Sequence, residues 1–318
     1  MNTAEMKKII CDIVDSEYPF GISVFACIKT DEDICLKKFK TNDELREIVK
    51  DMIFEQLKNK YINEEAALDS SDNIVDDRKC LYEIEQDDNY APFGFIPDND
   101  RIEDVYTEKD QDNLMGLLFK VSLDSNKFWA YQHIYQVRLI KRSKSLYAVL
   151  TKGDTYVPLD KDVIKIDSRI DLIIIGKSVI TSNISLMQSS FGFEKYIRTE
   201  AEKTIAIIKD LNIVSNIEKF LAFETQRKLT NAKKLLKAKN SPVLKMERAH
   251  LIEQLKTHKR YKNIFDFDED DKIKISSQKD VGELVKMLND CIVHSELTGT
   301  DYDSMSKNAL EPINADEQ

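Results

Sequence analysis

Near Ser182 the apolar residues of this chain change period, and that change most narrows what it can fold into. From Phe128 to Thr181 they fall in short runs with a spacing close to two: Phe128-Trp129-Ala130-Tyr131, then 134–140, 170–175 and 177–181. Runs of this kind pack as strands. Beyond Ser182 they recur every three or four residues, and the spacing predicts helices over 194–211, 216–224, 227–239 and 242–258. Ser241 followed by Pro242 is a start signal for the last of these. The expected class is α+β, with a mixed α/β domain of antiparallel strands over 1–182 and a mainly helical domain over 183–318. Eight Gly and six Pro are few for 318 residues, so most of the chain should lie in regular elements.

Finer expectations follow from local pattern. Met6, Ile9, Ile10 and Ile13 predict a helix over 4–14. Residues 21–28 and 34–39 read as a hairpin about Asp31-Glu32-Asp33. Thr41 with Glu44 predicts a capping box and a helix to about Lys58. The acidic stretch 63–77 predicts a surface loop, and Leu114, Leu117 and Leu118 predict a helix over 111–121. Strand 134–140 is expected to pair with 146–150 across Lys141-Arg142-Ser143-Lys144, and a second hairpin to turn at Gly176. The β content should end near Ser182, except for a short strand over 272–276 after the acidic turn 266–271. A helix over 280–291 and a partly ordered tail complete the chain.

Charge is sorted along the same chain. Residues 1–125 carry 15 basic and 30 acidic residues, 126–262 carry 27 and 13, and 263–318 carry 5 and 14. The overall −10 therefore hides a basic centre between acidic ends. Within 225–262 stand Arg227, Lys228, Lys233, Lys234, Lys237, Lys239, Lys245, Arg248, Lys256, Lys259, Arg260 and Lys262, against Glu247 and Glu253 alone. Like charges at this density repel one another, and a polyanion relieves the repulsion. These twelve are the candidate nucleic-acid contacts. On a helical wheel Leu229, Ala232, Leu235 and Leu236 share one side, with Arg227, Lys233, Lys234 and Lys237 opposite. Solvated faces normally mix signs, but this one holds no acid. Lysine in excess over arginine points to phosphate contact without sequence readout.

Other chemistry lacks its pattern. Gly176-Lys177-Ser178 has the end of a phosphate loop, but Asp171 stands where the first Gly belongs and a strand follows, so a hairpin turn fits better. Asp270-Asp271-Lys272 and Pro97-Asp98 could supply acids to a metal-dependent nuclease, but nothing in the spacing brings them together. His133, His250, His258 and His294 lack zinc-ligand spacing. No catalytic residue, metal or cofactor is therefore expected. Five cysteines, an odd number without C-x-x-C, fit reduced thiols in the cytoplasm. Neither a signal peptide nor a membrane-spanning stretch is expected.

One further set of residues carries a resemblance. Phe191-Gly192-Phe193-Glu194-Lys195-Tyr196 opens a long helix. Arg227-Lys228-Leu229, Leu288-Asn289-Asp290, Ser295-Glu296-Leu297-Thr298-Gly299 and the closing Tyr302, Ser306, Lys307 and Leu310 follow. This series resembles the KwaB family of the Kiwa anti-phage system, best over about residues 165–310. The resemblance implies a cytoplasmic, DNA-binding homo-oligomer, dimeric or larger, recruited to the cell membrane by a KwaA-like membrane protein to block phage propagation. It supplies no catalytic residues. The leading expectation is thus a non-catalytic DNA-binding effector. A metal-dependent nuclease assembled in the oligomer and a protein-binding adaptor are the alternatives.

Overall fold

The computed structural model describes the chain apart from residues 17–19, 32, 74–79, 98–100, 125, 136–138, 141–148, 153–154, 159–162, 226–228, 259–260, 296, 298–299 and 304–318. It has two compact units: Met1–Ser70 with Lys79–Leu186, and Ser71–Arg78 with Met187–Gln318. The class is α+β.

The first unit holds helices α1 (Thr3–Val14) and α2 (Asp43–Gln56) and strands β1 (Gly21–Lys29), β2 (Ile34–Lys38), β3 (Leu68–Ser70), β4 (Leu81–Glu85), β5 (Leu114–Leu123) and β6 (Asn126–His133). Four short strands follow, β7 (Leu139–Ile140), β8 (Val149–Lys152), β9 (Thr155–Pro158) and β10 (Val163–Ile164), and then β11 (Leu172–Ile175) and β12 (Ser178–Thr181). Eight strands make one sheet in the order β2-β1-β5-β6-β11-β12-β4-β3. All its ladders are antiparallel except β3 with β4. Acidic β4 is hydrogen-bonded to β12, so the acidic and basic stretches of sequence meet within one sheet.

Alternation decides which face is covered. Val24 and Ala26 of β1, Leu117 and Phe119 of β5, Ala130 of β6 and Ile173 of β11 share a buried cluster with Met6 and Ile10 of α1 and Val49 and Ile53 of α2. The opposite face carries Phe25, Trp129 and Tyr131, with the Phe93 ring 5.8 Å from that of Tyr131. Gly116 makes this possible: a Cβ there would stand 2.4 Å from the Tyr131 ring.

Several expectations needed correction. Residues 114–121 form central strand β5, preceded by a 3-10 segment, Glu108–Asn113. A strand buried on both faces has no alternation, and its apolar run imitates a buried helix. The cap of α2 is Asn42, whose side chain accepts from the Leu45 N–H, one residue beyond the expected Thr41. Within 63–77, β3 closes the sheet edge against β4, and the Ser71–Asn73 3-10 turn follows. Leu139–Ile140 pairs with β10, and Val149–Lys152 with β9, so among the described residues the expected partnership of 134–140 with 146–150 is replaced by these; residues 136–138 and 141–148 lie outside the described residues. The Gly176 hairpin is as expected, with φ +57° at the glycine and β12 following.

Where β6 ends and β11 begins, buried polar groups fix the chain. Gln132 Nε2 donates to Asp167 O and Oδ1 and to Arg169 O. Buried Asp171 accepts from the His133 N–H and lies 3.2 Å from Arg169 Nε. The Arg169 guanidinium rests over Tyr135.

The second unit is mainly helical. It contains α4 (Phe193–Leu211), α5 (Ile217–Thr225), α6 (Leu229–Ala238), α7 (Arg248–Thr257), α8 (Gln278–Leu288) and a closing hairpin of β13 (Ile292–Ser295) and β14 (Thr300–Asp303); α3 (Ile184–Ser190) spans the division between the units. That hairpin corrects the expectation that strands end near Ser182. The expected strand 272–276 is reduced to single bridges from Ile273 to Val214 and Phe267. The expected helix 242–258 is broken. Ser241 caps a 3-10 turn over Pro242–Lys245, Met246 and Glu247 are extended, and α7 starts at Arg248. The break lets Leu244 be buried while Arg248 turns toward Asn212. Ser71–Asn73 belongs to this unit, where Asn240 Nδ2 donates to Asp72 Oδ2 at 3.1 Å.

Candidate nucleic-acid interface

The segregation read from the wheel is present in α6. Ala232, Leu235, Leu236 and Ala238 are buried, whereas Lys233, Lys234 and Lys237 are only half-buried. Among the described residues of α6 there is no acid.

The remaining candidates divide by what they touch. Lys245 and Lys262 are exposed. Lys239 is drawn inward, its Nζ 2.5 Å from Glu200 Oε2 on α4. Arg248 holds the backbone instead, donating from Nε to Asn212 O at 3.2 Å and from Nη2 to Asp270 O at 2.8 Å. Lys256 pairs with Asp271 and lies over the Phe267 ring. Arg227, Lys228, Lys259 and Arg260 lie outside the described residues. Lys233, Lys234 and Lys237 thus share α6, with Lys245 and Lys262 in the 3-10 turns that precede and follow α7. Lys239, Arg248 and Lys256 hold the unit together.

Glu200 is the residue the charge count did not single out. It is buried on α4 in the same stripe as Ile197, Ala201, Thr204 and Ile208, and Lys203 Nζ reaches its other oxygen at 2.5 Å. Burial opposes its ionisation, but the hydrogen bonds from Lys203 and Lys239 outweigh this and hold the carboxyl below the ordinary glutamate range. Nearby Asp72 is shifted the other way: burial pushes its carboxyl up despite Lys239 and Asn240. A glutamate at the helical spacing of an apolar stripe was the available signal for Glu200.

Of the acids considered for a nuclease, Asp271 pairs with Lys256 and Asp270 lies 3.8 Å from Lys272. Asp268 Oδ1 accepts from the Asp270 and Lys272 N–H groups and shapes the turn, with Asp271 at φ +61°. Asp98 lies outside the described residues. Among the described residues no three His, Cys, Asp or Glu side chains are grouped to hold a metal ion, and no helix is long and apolar enough to cross a membrane.

A model of the family described as Kiwa protein KwaB-like matches residues 111–298, which include parts of both units. The chain is 23% identical over 326 residues to the Kiwa protein KwaB of Escherichia coli O55:H7 (strain RM12579 / EPEC), covering 98% of this chain and 100% of that protein. No solved structure matches.

Proposed function

The chain belongs to the KwaB-like family of Kiwa anti-phage proteins, and from that premise we propose that it defends the cell by binding DNA without cutting it. The contacts are to phosphates, through Lys233, Lys234 and Lys237 of α6 with Lys245 and Lys262. Arg227, Lys228, Lys259 and Arg260 extend the same basic stretch. The observation that supports this most is the acid-free outward side of α6, whose lysines are backed by buried apolar residues. A surface with one sign of charge attracts a polyanion along its length and carries little base discrimination. In this reading the protein works in the cytoplasm as a homodimer or larger oligomer, held near the membrane by a KwaA-like partner.

Salt dependence tests the contact. Each neutralised phosphate lowers log affinity by ~0.9 per unit of log salt on duplex DNA. Replacing Lys233, Lys234 and Lys237 by Gln should flatten the slope by about 2–3 units and weaken all sequences alike. Gln keeps nearly the helix propensity of Lys, so the melting temperature should hold. Phage protection should fall with affinity. An unchanged slope in the folded triple variant would refute the contact and favour the adaptor.

A further inference from the structure

The turn that leaves α7 carries aromatic rings among cations. In sequence, residues 256–262 read Lys256-Thr257-His258-Lys259-Arg260-Tyr261-Lys262, four cations with two rings and no acid. Basic residues interleaved with aromatic ones suit a single strand of nucleic acid, because cations track its phosphates and rings stack on its bases. The phosphate contacts proposed above occupy the cations of this stretch and give its rings no task.

The rings are ordered from the core outward. Phe265 is buried. The half-buried Tyr261 ring lies nearly parallel to it, at 15° with the centroids 6.0 Å apart. His258 comes next, 5.0 Å from Tyr261 at 40°, and it is exposed. Both separations are those of aromatic pairs in contact. Backbone bonds hold this spacing: the Ile264 and Phe265 N–H groups donate to Tyr261 O, and the Lys262 N–H donates to His258 O. His258 ends α7 through its own N–H, which donates to Gln254 O, so the cap makes no use of the imidazole. Lys262, next to Tyr261 in the same turn, is exposed, and its ammonium has no ion pair among the described residues.

We propose that His258 is the outer stacking plane of a site for unpaired DNA, with one base against the imidazole and an adjacent phosphate at Lys262. This site rests on the DNA-binding reading and narrows it to separated strands. In a duplex each base face is covered by its neighbour, so an exposed ring finds a plane to stack on only where the strands are apart. Every base has such a face, so the site selects strandedness and not sequence.

The full chain is titrated by fluorescence anisotropy with labelled oligo(dT) of about 12 nucleotides, with an abasic strand of the same length and charge, and with a blunt duplex. Oligo(dT) should bind more tightly than the abasic strand. His258→Ala should weaken oligo(dT) about fivefold, the low end for loss of one stacking ring, and leave the abasic strand, the duplex and the melting temperature unchanged. His258→Phe keeps a plane without the ring nitrogens and should bind oligo(dT) like the wild type. Equal wild-type affinity for oligo(dT) and the abasic strand would overturn the site. So would a His258→Phe chain as weak as His258→Ala, or an equal loss on the abasic strand. Duplex bound without preference for oligo(dT) over the abasic strand refutes this site alone, whereas binding of neither duplex nor strand refutes the DNA-binding reading as well.

Discussion

Gly116→Ala puts a methyl group where the Tyr131 ring already lies. The added Cβ would stand 2.4 Å from Cε2 and from the hydroxyl oxygen and 2.5 Å from Cζ, and this ring is fully buried. The ring must move. Overpacking of a dense core costs about 1–3 kcal/mol. Displacement also strains the hydrogen bonds of the Tyr131 hydroxyl to Met115 O and His133 Nδ1, each worth about 1 kcal/mol. The expected loss is about 2–4 kcal/mol, or roughly 4–16 °C in melting temperature at about 2–4 °C per kcal/mol for a unit of this size. The sign is itself informative, because Gly→Ala without a clash stabilises by about 0.4–1 kcal/mol. Thermal and urea unfolding of Gly116→Ala, Tyr131→Ala and the double variant close a mutant cycle. With Tyr131 removed, the alanine should cost nearly nothing. Equal costs in both backgrounds would refute the steric account.

Three other outcomes follow from the second unit. Glu200 has its folded pKa depressed, so its contribution is present above an ordinary glutamate value of 4.5 and is lost as pH falls through the lower folded value. Urea unfolding from pH 6 to pH 3 should therefore show a steeper loss for the wild type than for Glu200→Gln, and parallel curves would contradict this. Asp271→Asn removes the partner of Lys256 while tolerating the left-handed backbone. Such a partly exposed pair is worth about 0–1 kcal/mol, so DNA affinity at low salt should rise up to about fivefold; a fall would show that Asp271 supports the surface instead. Asn240→Ala removes the contact to Asp72 and should speed proteolysis near Ser71–Asn73, detectable by mass spectrometry of early fragments, whereas unchanged cleavage would mean the bond holds nothing.

Legibility in the sequence tracked how one-sided each element is. Helices α1, α4 and α8 have one buried and one solvated side, and their apolar periods gave them away to within about three residues at either end. Strand β5 misled because it is buried on both faces, and β3 because three residues carry no period at all. The lysines of α6 could be placed on an outer face from the wheel. What Lys239, Arg248 and Lys256 touch could not, because Glu200, Asn212 and Asp271 are brought to them by folding, across 39, 36 and 15 residues of sequence.

The short turn Ser71–Asn73 has a consequence for synthesis. Asp72 and Asn240 are 168 residues apart, and the turn belongs with helices made long after it. At about 5–20 residues per second, roughly 8–34 s separate the appearance of the two partners on the ribosome. Strand β4 waits as well, since Glu85 pairs with Ser178, 93 residues later (178 − 85). Through that interval the nascent chain holds an acidic edge and an unanchored turn while basic segments are still being added. The second unit therefore cannot close until more than three quarters of the protein has been translated, which leaves it open to premature termination over most of synthesis.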